Sequence, residues 1–370
     1  MKILKPLAVL LFCSLFLDLF GIPKIQPNTT FPVSENYDLQ GKELKLPTGV
    51  TLDFKGGAFH NGSIVGCETK ITGKNYHIFG NVEIKGSWNV PFISSKMFTS
   101  LSKENSLRNV MALTNRKIKN KVVVEPGVYN FKFEKNEESG LLVEDNTVLI
   151  LNGTLTITPN SFVNYQIIRV CGNNIQIKGS GLIVGDKDRH TGLKGQWGMG
   201  IDIYKSSNVS IQNLNISNCW GDCIYIGRKS KKIVINNCKL YGSRRQGISI
   251  TEGSDILIKN STIHNISGTL PGFGIDVEPN KNCKVENVVI DNVSIYKCNG
   301  GIELNGHAIN STVRNVKVRN CRINNMQEKY LVQCYDCENI SFENCILDKI
   351  PKYILFKDCR NAYKKNIKKI

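Results

Sequence analysis

A spaced pattern, apolar-x-apolar-x-Asn-x-x-apolar, recurs along most of this chain and limits its fold more than any other feature. One copy runs from Val148 through Asn152 to Leu155, and another from Val209 through Asn213 to Ile216. The copies begin at residues 148, 175, 209, 233, 256, 288, 316 and 340, and the second has Gly in place of Asn. A period of this length, built from short alternating strands, predicts a parallel solenoid.

The repeated Asn marks the position at which the chain turns. Alternation along each strand places apolar residues such as Ile211 and Ile235 toward the core. Asn tolerates left-handed backbone, and stacked Asn side chains can hydrogen-bond from coil to coil, so we interpret the Asn column as structural. Cys238, Cys321 and Cys345 directly follow a repeat Asn, which predicts free thiols buried in the core.

The sequence divides into four segments. Lys2 and Lys5 precede an apolar run, 6–20, that is short for a membrane span and contains Asp18, so residues 1–22 are interpreted as an export signal. Residues 23–118 predict a β-rich cap with the first coils and a helix, 119–362 the solenoid, and 363–370 a basic solvated tail. We expect a secreted, periplasmic or cell-envelope protein without stable membrane insertion after signal removal; a retained anchor is the alternative.

The charge balance indicates the class of partner. The chain has 48 Lys and Arg against 31 Asp and Glu, a formal net charge of +17. Such a surface attracts polyanions. Aromatic residues are only 8% of the chain, and no run of Lys or Arg is interleaved with aromatic residues in the way a nucleic-acid platform requires. An acidic polysaccharide is therefore the expected partner, and nucleic acid is not.

A second strand recurs further along each coil, as in Gly200-Ile201-Asp202-Ile203 and Gly274-Ile275-Asp276-Val277. Its Ile, Val and Leu positions predict an inward face, and its other positions predict outward columns that step about 4.8 Å per coil. The first column is Gly200, Cys223, Gly247, Gly274 and Gly301. The second is Asp202, Tyr225, Ser249, Asp276 and Glu303, and the third is Tyr204, Gly227, Thr251, Glu278 and Asn305.

These columns predict a groove with a glycine floor. Tryptophan faces, here Trp197 and Trp220, are flat platforms for sugar rings, and Arg244 and Arg245 can bind carboxylates. Clustered carboxylates can act as acid and base or hold calcium. An inserted loop carries His190 to the same region. The structural alternative is that the acids only solubilise a strand face, the arginines only pair with them, and the glycines only satisfy turn geometry.

At these residues the sequence resembles the bacterial right-handed parallel β-helix proteins of the pectate-lyase-like superfamily. The resemblance rests on the segment 218–227, on Arg244-Arg245-Gln246-Gly247-Ile248-Ser249-Ile250 and on the segment 274–280, and it extends over about residues 120–360. It implies an all-β fold, a single-stranded right-handed parallel β-helix of about eight or more coils, with an N-terminal β-rich capping segment and one short helix. It also implies a carbohydrate role, since lyases, hydrolases, epimerases and phage-type depolymerases share this fold.

Two enzyme groups within that resemblance give different roles to the acids. Against the polygalacturonase motifs, Asp222 matches the second Asp of the acid pair, but Gly221, Met199 and Gln246 stand where the other acids and the histidine are expected. In a pectate-lyase-like reading, acids such as Asp202, Asp222, Asp276 and Glu278 bind Ca²⁺, and Arg244 or Arg245 is the base. Calcium is therefore the candidate cofactor.

The sequence predicts an exported protein that acts on a uronate-containing polysaccharide, first by lyase-type β-elimination. A polygalacturonase-like hydrolase, a C5-epimerase and a non-catalytic glycan-binding or structural β-helix are the alternatives. The candidate catalytic residues are Asp222, Arg244, Arg245, Asp276 and Glu278. The candidate substrate-binding residues are His190, Trp197, Asp202, Trp220, Tyr225, Ser249 and Glu303. The chain is expected to be a monomer or a homotrimer.

Overall fold

The computed structural model describes residues 21–99, 105–327, 331–348 and 354–370. These residues are almost entirely β, with one α-helix, α1 (Leu107–Met111), and two 3₁₀ turns at Ser95–Met97 and Lys187–Arg189. The predicted export signal lies outside the described residues except for Gly21 and Ile22. None of the helices in the described ranges has the length and apolar run needed to cross a bilayer.

The N-terminal segment builds a small six-stranded sheet around one long strand. Its strands are β1 (Thr30–Val33), β2 (Asn36–Asp38), β3 (Glu43–Lys45), β4 (Thr51–Phe54), β5 (Ala58–Gly73) and β6 (Phe79–Trp88). The strand β5 pairs with β2, β3, β4 and β6, all in parallel. Phe54, Phe59, Phe79 and Trp88 are buried beneath it and meet edge to face. The predicted β-rich capping segment is confirmed.

From β7 (Phe92–Ser94) onward, the chain winds through the same cycle of three strands. The cycles are β8 (Asn120–Val124), β9 (Val128–Phe131), β10 (Glu138–Val143); β11 (Thr147–Leu151), β12 (Thr154–Ile157), β13 (Asn164–Val170); β14 (Asn173–Lys178), β15 (Leu182–Val184), β16 (Trp197–Tyr204); β17 (Ser207–Gln212), β18 (Asn215–Ser217), β19 (Ile224–Gly227); β20 (Ser230–Asn236), β21 (Lys239–Tyr241), β22 (Ile248–Ile250); β23 (Gly253–Lys259), β24 (Thr262–His264), β25 (Phe273–Val277); β26 (Lys284–Asp291), β27 (Ser294–Tyr296), β28 (Gly300–Asn305); β29 (Thr312–Arg319), β30 (Arg322–Asn324), β31 (Val332–Tyr335); and β32 (Cys337–Glu343), β33 (Ile346–Leu347), β34 (Ile354–Lys357). The chain ends with β35 (Arg360–Lys365) and β36 (Lys368–Lys369).

Stacking these cycles makes three long parallel sheets. The nine-stranded sheet from β10 to β34, here called the front sheet, contains the third strand of every cycle. The second sheet has eleven strands, from β7 to β35, and the third sheet has ten, from β9 to β36. The predicted fold class, a parallel β-helix of eight or more coils, is therefore confirmed.

Exact register between coils builds the core. Ile201 pairs with Ile224, Ile224 with Ile248, and Ile248 with Ile275, so identical side chains lie above one another along the front sheet. All four are fully buried. Each buried isoleucine contributes roughly 1.5–3 kcal/mol, so a slip of one residue, which would turn the whole column to the solvent, is strongly disfavoured.

Two asparagine ladders, rather than the one predicted, run along the outside of the turns. The predicted ladder includes the bonds from Asn237 Nδ2 to Asn213 Oδ1 and from Asn292 Nδ2 to Asn260 Oδ1, both 2.9 Å. The other ladder lies on the second sheet, where it connects Asn287, Asn315, Asn339 and Asn361 through bonds of 3.0 Å. All these asparagines have φ values between 51° and 59°, which Asn tolerates better than most residues.

The ends of the solenoid differ from the predicted boundaries. β7 already pairs with β8, so the second sheet begins before residue 119. Residues 363–370, expected to form a solvated tail, continue the coil because β35 pairs with β32 and β36 with β33. Their lysine side chains are exposed, as expected for a basic terminus. Cys238, Cys321 and Cys345 are buried and free, which confirms the predicted core thiols.

Substitutions at Asn315 separate the two contributions of a ladder position. Asn315→Gly removes its two side-chain hydrogen bonds but keeps a residue that accepts φ 57°. Asn315→Ala removes the same bonds and adds a left-handed penalty of about 1–2 kcal/mol. We expect the Ala variant to have the lower midpoint in urea unfolding, with the Gly variant between it and the parent chain. Equal midpoints for the two variants would contradict the role given to the backbone.

Candidate functional site

The front sheet brings the second predicted column into a single register. Asp202 pairs with Tyr225, Tyr225 with Ser249, Ser249 with Asp276, and Asp276 with Glu303. Adjacent positions are therefore separated by one inter-strand distance of about 4.8 Å. Asp202, Ser249, Asp276 and Glu303 are buried, and Tyr225 is half-buried. The column is therefore a set of polar groups that are close together and largely removed from water.

An ion pair lies at the turn that leads into β19. Asp222 is fully buried, and its Oδ2 accepts a bond of 3.1 Å from Arg245 Nη1. Its Oδ1 accepts a bond of 3.1 Å from the backbone N–H of Gln246 on the next coil. Burial raises the pKa of Asp222 to about 6, although Arg245 opposes that shift. This carboxylate therefore holds the guanidinium of Arg245 in place.

Gln246 connects this ion pair to the second buried acid. Its Nε2 donates to Asp276 Oδ2 at 2.8 Å, and its Oε1 accepts from the backbone N–H of Phe273 at 2.6 Å. Asp276 Oδ1 is buried and makes no hydrogen bond among the described residues. The sequence singled out Gln246 only as a departure from a family motif. Its bridging role depends on the turn between coils, which strand periodicity does not specify.

Burial and neighbouring acids raise the pKa of Asp276. Burial is the largest cause, and Glu278 and Glu303 add to it, so the pKa of Asp276 lies well above its usual range despite Arg245 nearby. Glu278 is half-buried and accepts a bond of 3.2 Å from Asn305 Nδ2. The structure therefore places a carboxyl group with a raised pKa on the same face as Glu278 and a guanidinium.

The ion pair disfavours the predicted role of Arg245 as a base. Burial alone would lower the pKa of Arg245, but Asp222, Asp276 and Glu278 outweigh it and raise the pKa. A guanidinium held in this way is a fixed positive charge. Arg244 is also held in position, because its Nη1 donates to the carbonyl oxygen of Gly195 at 2.8 Å. Both arginines fit anion binding and positioning better than proton removal.

Trp220 is not the open sugar platform that the sequence suggested. Its ring stacks on His190 with centroids 3.9 Å apart, and the guanidinium carbon of Arg244 lies 3.7 Å from its ring centroid. Only 9% of Trp220 remains exposed. The His190 side chain is fully buried, with Nδ1 2.9 Å from Asp186 Oδ2. In this arrangement His190 and Trp220 support the inserted loop, and the described structure leaves neither ring face open to a sugar.

Trp197 is the accessible aromatic residue of the predicted pair. It begins β16 and is 44% exposed. The loop that carries His190, between β15 and β16, is fastened to the later coils, since Arg244 bonds to Gly195 and Lys187 Nζ donates to the carbonyl oxygen of Ser267 at 2.8 Å. Ser267 lies in the loop between β24 and β25, so these two loops contact each other beside the front sheet.

The glycine column does not form the floor of a groove. A Cβ on Gly247 would lie 2.4 Å from the carbonyl oxygen of Gly274 and 2.5 Å from Cγ2 of Ile263. A Cβ on Gly274 would lie 2.4 Å from Cγ2 of Ile295. These positions face the core side chains of the third sheet. The close approach inferred from the glycines is real, but the approaching group is core isoleucine rather than a ligand.

Arg169 belongs to the site and was missed by the sequence analysis. It pairs with Asp202 in the front sheet, and its Nε donates to Asp202 Oδ2 at 3.0 Å. Burial raises the pKa of Asp202, while Arg169 and then Arg228 oppose that shift. β13 lacks the Gly-Ile start that marks the later strands, so the predicted column began at Asp202, one coil too late to include Arg169. Extending the register by one coil would have found Arg169.

The donor set of this face gives calcium little to bind. Asp222 and Asp276 already accept hydrogen bonds from Arg245 and Gln246, and a fixed cation lies beside them. Within the described ranges, no group of three or more His, Cys, Asp or Glu side chains is arranged to hold a metal ion. These residues therefore do not fit the predicted calcium site.

Comparison with known proteins identifies the architecture. Residues 199–366 match the family model described as right handed beta helix region. Two uncharacterized proteins of Bacillus subtilis (strain 168) are similar: YclG is 32% identical over 167 residues, 39% of this chain and 28% of the relative. The other, the SPbeta prophage-derived YorA, is 29% identical over 171 residues, 39% of this chain and 29% of the relative. The chain spans less than a third of the length of the curated relatives it matches.

Solved structures that align with parts of this chain belong to proteins with different names. An exopolygalacturonase from Thermotoga maritima aligns with a TM-score of 0.41 at 14% identity, covering 68% of this chain and 84% of its own. PfbA, a surface adhesin of Streptococcus pneumoniae, aligns with a TM-score of 0.45 at 13% identity, covering 92% and 84%. Pectate lyase Pel9A aligns with a TM-score of 0.38 at 11% identity, covering 70% of each chain. The three stacked parallel sheets and the matched region show that the chain folds as a parallel β-helix, with a right handed beta helix region at residues 199–366.

Proposed function

We propose that the front-sheet face binds a uronate-containing polysaccharide and cleaves it by β-elimination. The observation that carries this proposal is the cluster of Arg245, Asp222, Gln246 and Asp276, in which a fixed guanidinium lies beside a buried carboxyl group whose pKa is raised. Perturbed acids next to a specific charge partner are typical of reactive sites. The net charge of +17 favours approach of an acidic polymer, and exposed Trp197 offers a ring face to a sugar.

The proposed step gives chemical roles to Arg245, Glu278 and Asp276 and a positioning role to Asp222. Arg245 binds the uronate carboxylate and stabilises the charge that develops on it. Glu278 removes the proton from C5, the C4–O bond breaks as the C4–C5 double bond forms, and Asp276 gives its proton to the leaving glycosidic oxygen. Asp222 acts through Arg245, which it orients. The products are a chain that begins with a 4,5-unsaturated uronate at its non-reducing end and a second chain with a new reducing end, whose anomeric oxygen carries the proton from Asp276.

Hydrolysis is the second candidate, because the raised pKa of Asp276 also suits the general acid of a glycosidase. An inverting glycosidase uses two carboxyl groups, one to protonate the leaving oxygen and one to activate water. In that reaction Asp276 would protonate the leaving oxygen and Glu278 would activate the water instead of removing the C5 proton. Epimerisation would use the same C5 proton without bond cleavage. A non-catalytic glycan binder would use Arg245 and Trp197 alone.

Incubation with polygalacturonate, alginate and a neutral glucan tests the activity. Elimination produces a double bond that absorbs in the ultraviolet, whereas hydrolysis produces reducing ends without that absorbance. We expect ultraviolet-absorbing product from a uronate polymer and none from the glucan. Chelator treatment tests the predicted calcium requirement. Because the proposed step uses no metal ion, we expect activity to persist after this treatment. Reducing ends without absorbance would instead support hydrolysis.

Glu278→Gln tests the assigned base. Loss of a positioned acid or base costs about 10²–10⁴-fold in rate, so we expect at least a hundredfold loss of product formation. Glu286→Gln is the matched control because Glu286 lies in the second sheet, paired with Arg314, away from the front sheet. Initial rates and circular dichroism spectra of both variants give the comparison. Unchanged turnover by Glu278→Gln would remove it from the mechanism.

The pH dependence of stability tests whether Asp276 is neutral. Its folded pKa is raised, so its protonated form stabilises the fold below the ordinary Asp pKa, and this stabilisation is lost as pH rises through the raised value. Asp276→Asn is neutral throughout and can still accept from Gln246. We expect the melting temperature of the variant to increase relative to the parent chain between pH 4 and pH 8.

Asp291→Asn is the control of opposite sign. Burial opposes the shift, but hydrogen bonds from Asn320 and Arg319 lower the pKa of Asp291 overall. Its ionised form therefore stabilises the fold above the ordinary Asp pKa. We expect the melting temperature of this variant to fall relative to the parent chain as pH rises through the acidic range. A parallel pH trend for the two variants would contradict the assignment of Asp276 as a neutral acid.

A further inference from the structure

A basic cavity of about 470 Å³ lies beside the front sheet, outside the cluster described above. Four cations line it: Lys205, Arg228, Lys229 and Lys231. Lys205 directly follows β16, Arg228 and Lys229 follow β19, and Lys231 lies in β20. The cavity is therefore formed where two successive coils turn from the front sheet into the second sheet.

The four cations have no carboxylate partners among the described residues. None of them forms an ion pair there, whereas other basic residues of the coils do, such as Arg169 with Asp202 and Arg319 with Asp291. Glu252 is the one acid that lines the cavity. All four side chains are exposed. Four cations gathered around one acid leave an excess of positive charge, and a bound anion would relieve the repulsion between them.

The backbone adds a second observation. Lys205, Arg228 and Lys229 all have left-handed φ values, of 49°, 55° and 63°. Most non-glycine left-handed positions among the described residues hold Asn, which bears the conformation at lower cost. Five of these positions hold Lys or Arg instead, and three of the five line this one cavity, whereas Lys232 and Lys297 lie outside it.

The cavity is continuous with the proposed substrate face. Tyr204, the last residue of β16, has the guanidinium of Arg169 5.3 Å from its ring centroid and the ammonium of Lys205 5.4 Å from it. Arg228 is near enough to Asp202 to oppose the rise in its pKa. A chain bound across Asp202 and Tyr225 would therefore meet the cavity where it leaves the front sheet.

We propose that the basic cavity binds an anionic group, a carboxylate or a sulfate ester, of a polysaccharide lying across the front sheet. The identity of the polymer rests on the proposed function, but anion binding in the cavity does not. Lysine and arginine together suit both anions. Single-stranded nucleic acid is the less favoured partner because the cavity has no aromatic lining on which bases could stack.

The test compares two double variants with the same loss of charge. Arg228→Asn with Lys229→Asn removes two cavity cations and keeps residues that accept left-handed backbone. Lys232→Asn with Lys297→Asn is the control, because both positions are exposed, have φ values of 56° and 53°, and lie outside the residues lining the cavity. Binding of polygalacturonate, a sulfated glycosaminoglycan, dextran and a single-stranded oligonucleotide is measured by titration calorimetry at low and moderate salt.

We expect the cavity variant to bind an anionic polysaccharide about tenfold more weakly than the parent chain, and the control variant to lose much less. If the cavity variant loses more affinity for polygalacturonate than the control variant does, the bound anion is a carboxylate. If this difference appears only with the glycosaminoglycan, the bound anion is a sulfate ester. Equal weakening in both variants would show attraction by net charge and overturn the cavity site. Discrimination with only the oligonucleotide would overturn the glycan assignment. Elimination activity is scored separately, so its absence would reject the proposed function without deciding the cavity.

Discussion

Parallel pairing of each coil with the next is the interaction on which the rest of this structure depends. Residues 23 to 27 positions apart, such as Ile201, Ile224, Ile248 and Ile275, become neighbours only because the strands pair in register. The same register that buries these side chains places Tyr225, Ser249 and Asp276 in one column. A core and a polar face are therefore two consequences of one set of backbone hydrogen bonds.

The site gains its chemical character from being buried in that stack. A carboxyl group on an exposed strand would titrate like any other, whereas Asp222 and Asp276 are almost completely covered by adjacent coils. Arg245 compensates one of them directly, and Gln246 connects the two. Removing water makes these charges interact strongly, so the pKa of each acid is raised and the guanidinium is held in place. The turns leading into the front sheet, rather than its strands, provide the connecting groups.

The sequence predicted the repetitive part of this molecule well, because stacked coils require a regular repeat length and strands that alternate apolar and polar residues. It identified the Asn ladder, the inward isoleucines and the order of the Asp202 to Glu303 column. It failed where side chains meet at turns. The burial of Trp220 beneath Arg244 and His190 depends on how an inserted loop folds back, and no spacing encodes that. The glycines were misread because a close approach from inside the core has the same sequence signature as one from outside.

The charge state of the two buried acids is the most direct measure of this account. Carbon-13 NMR of the aspartate carboxyl groups across a pH series, assigned with Asp222→Asn and Asp276→Asn, would report both. The account predicts that Asp222 titrates near pH 6 and that Asp276 titrates well above the ordinary aspartate range. Titration of both groups near pH 4 would mean that the face is solvated and that the acid, the fixed guanidinium and the chemistry assigned to them are absent.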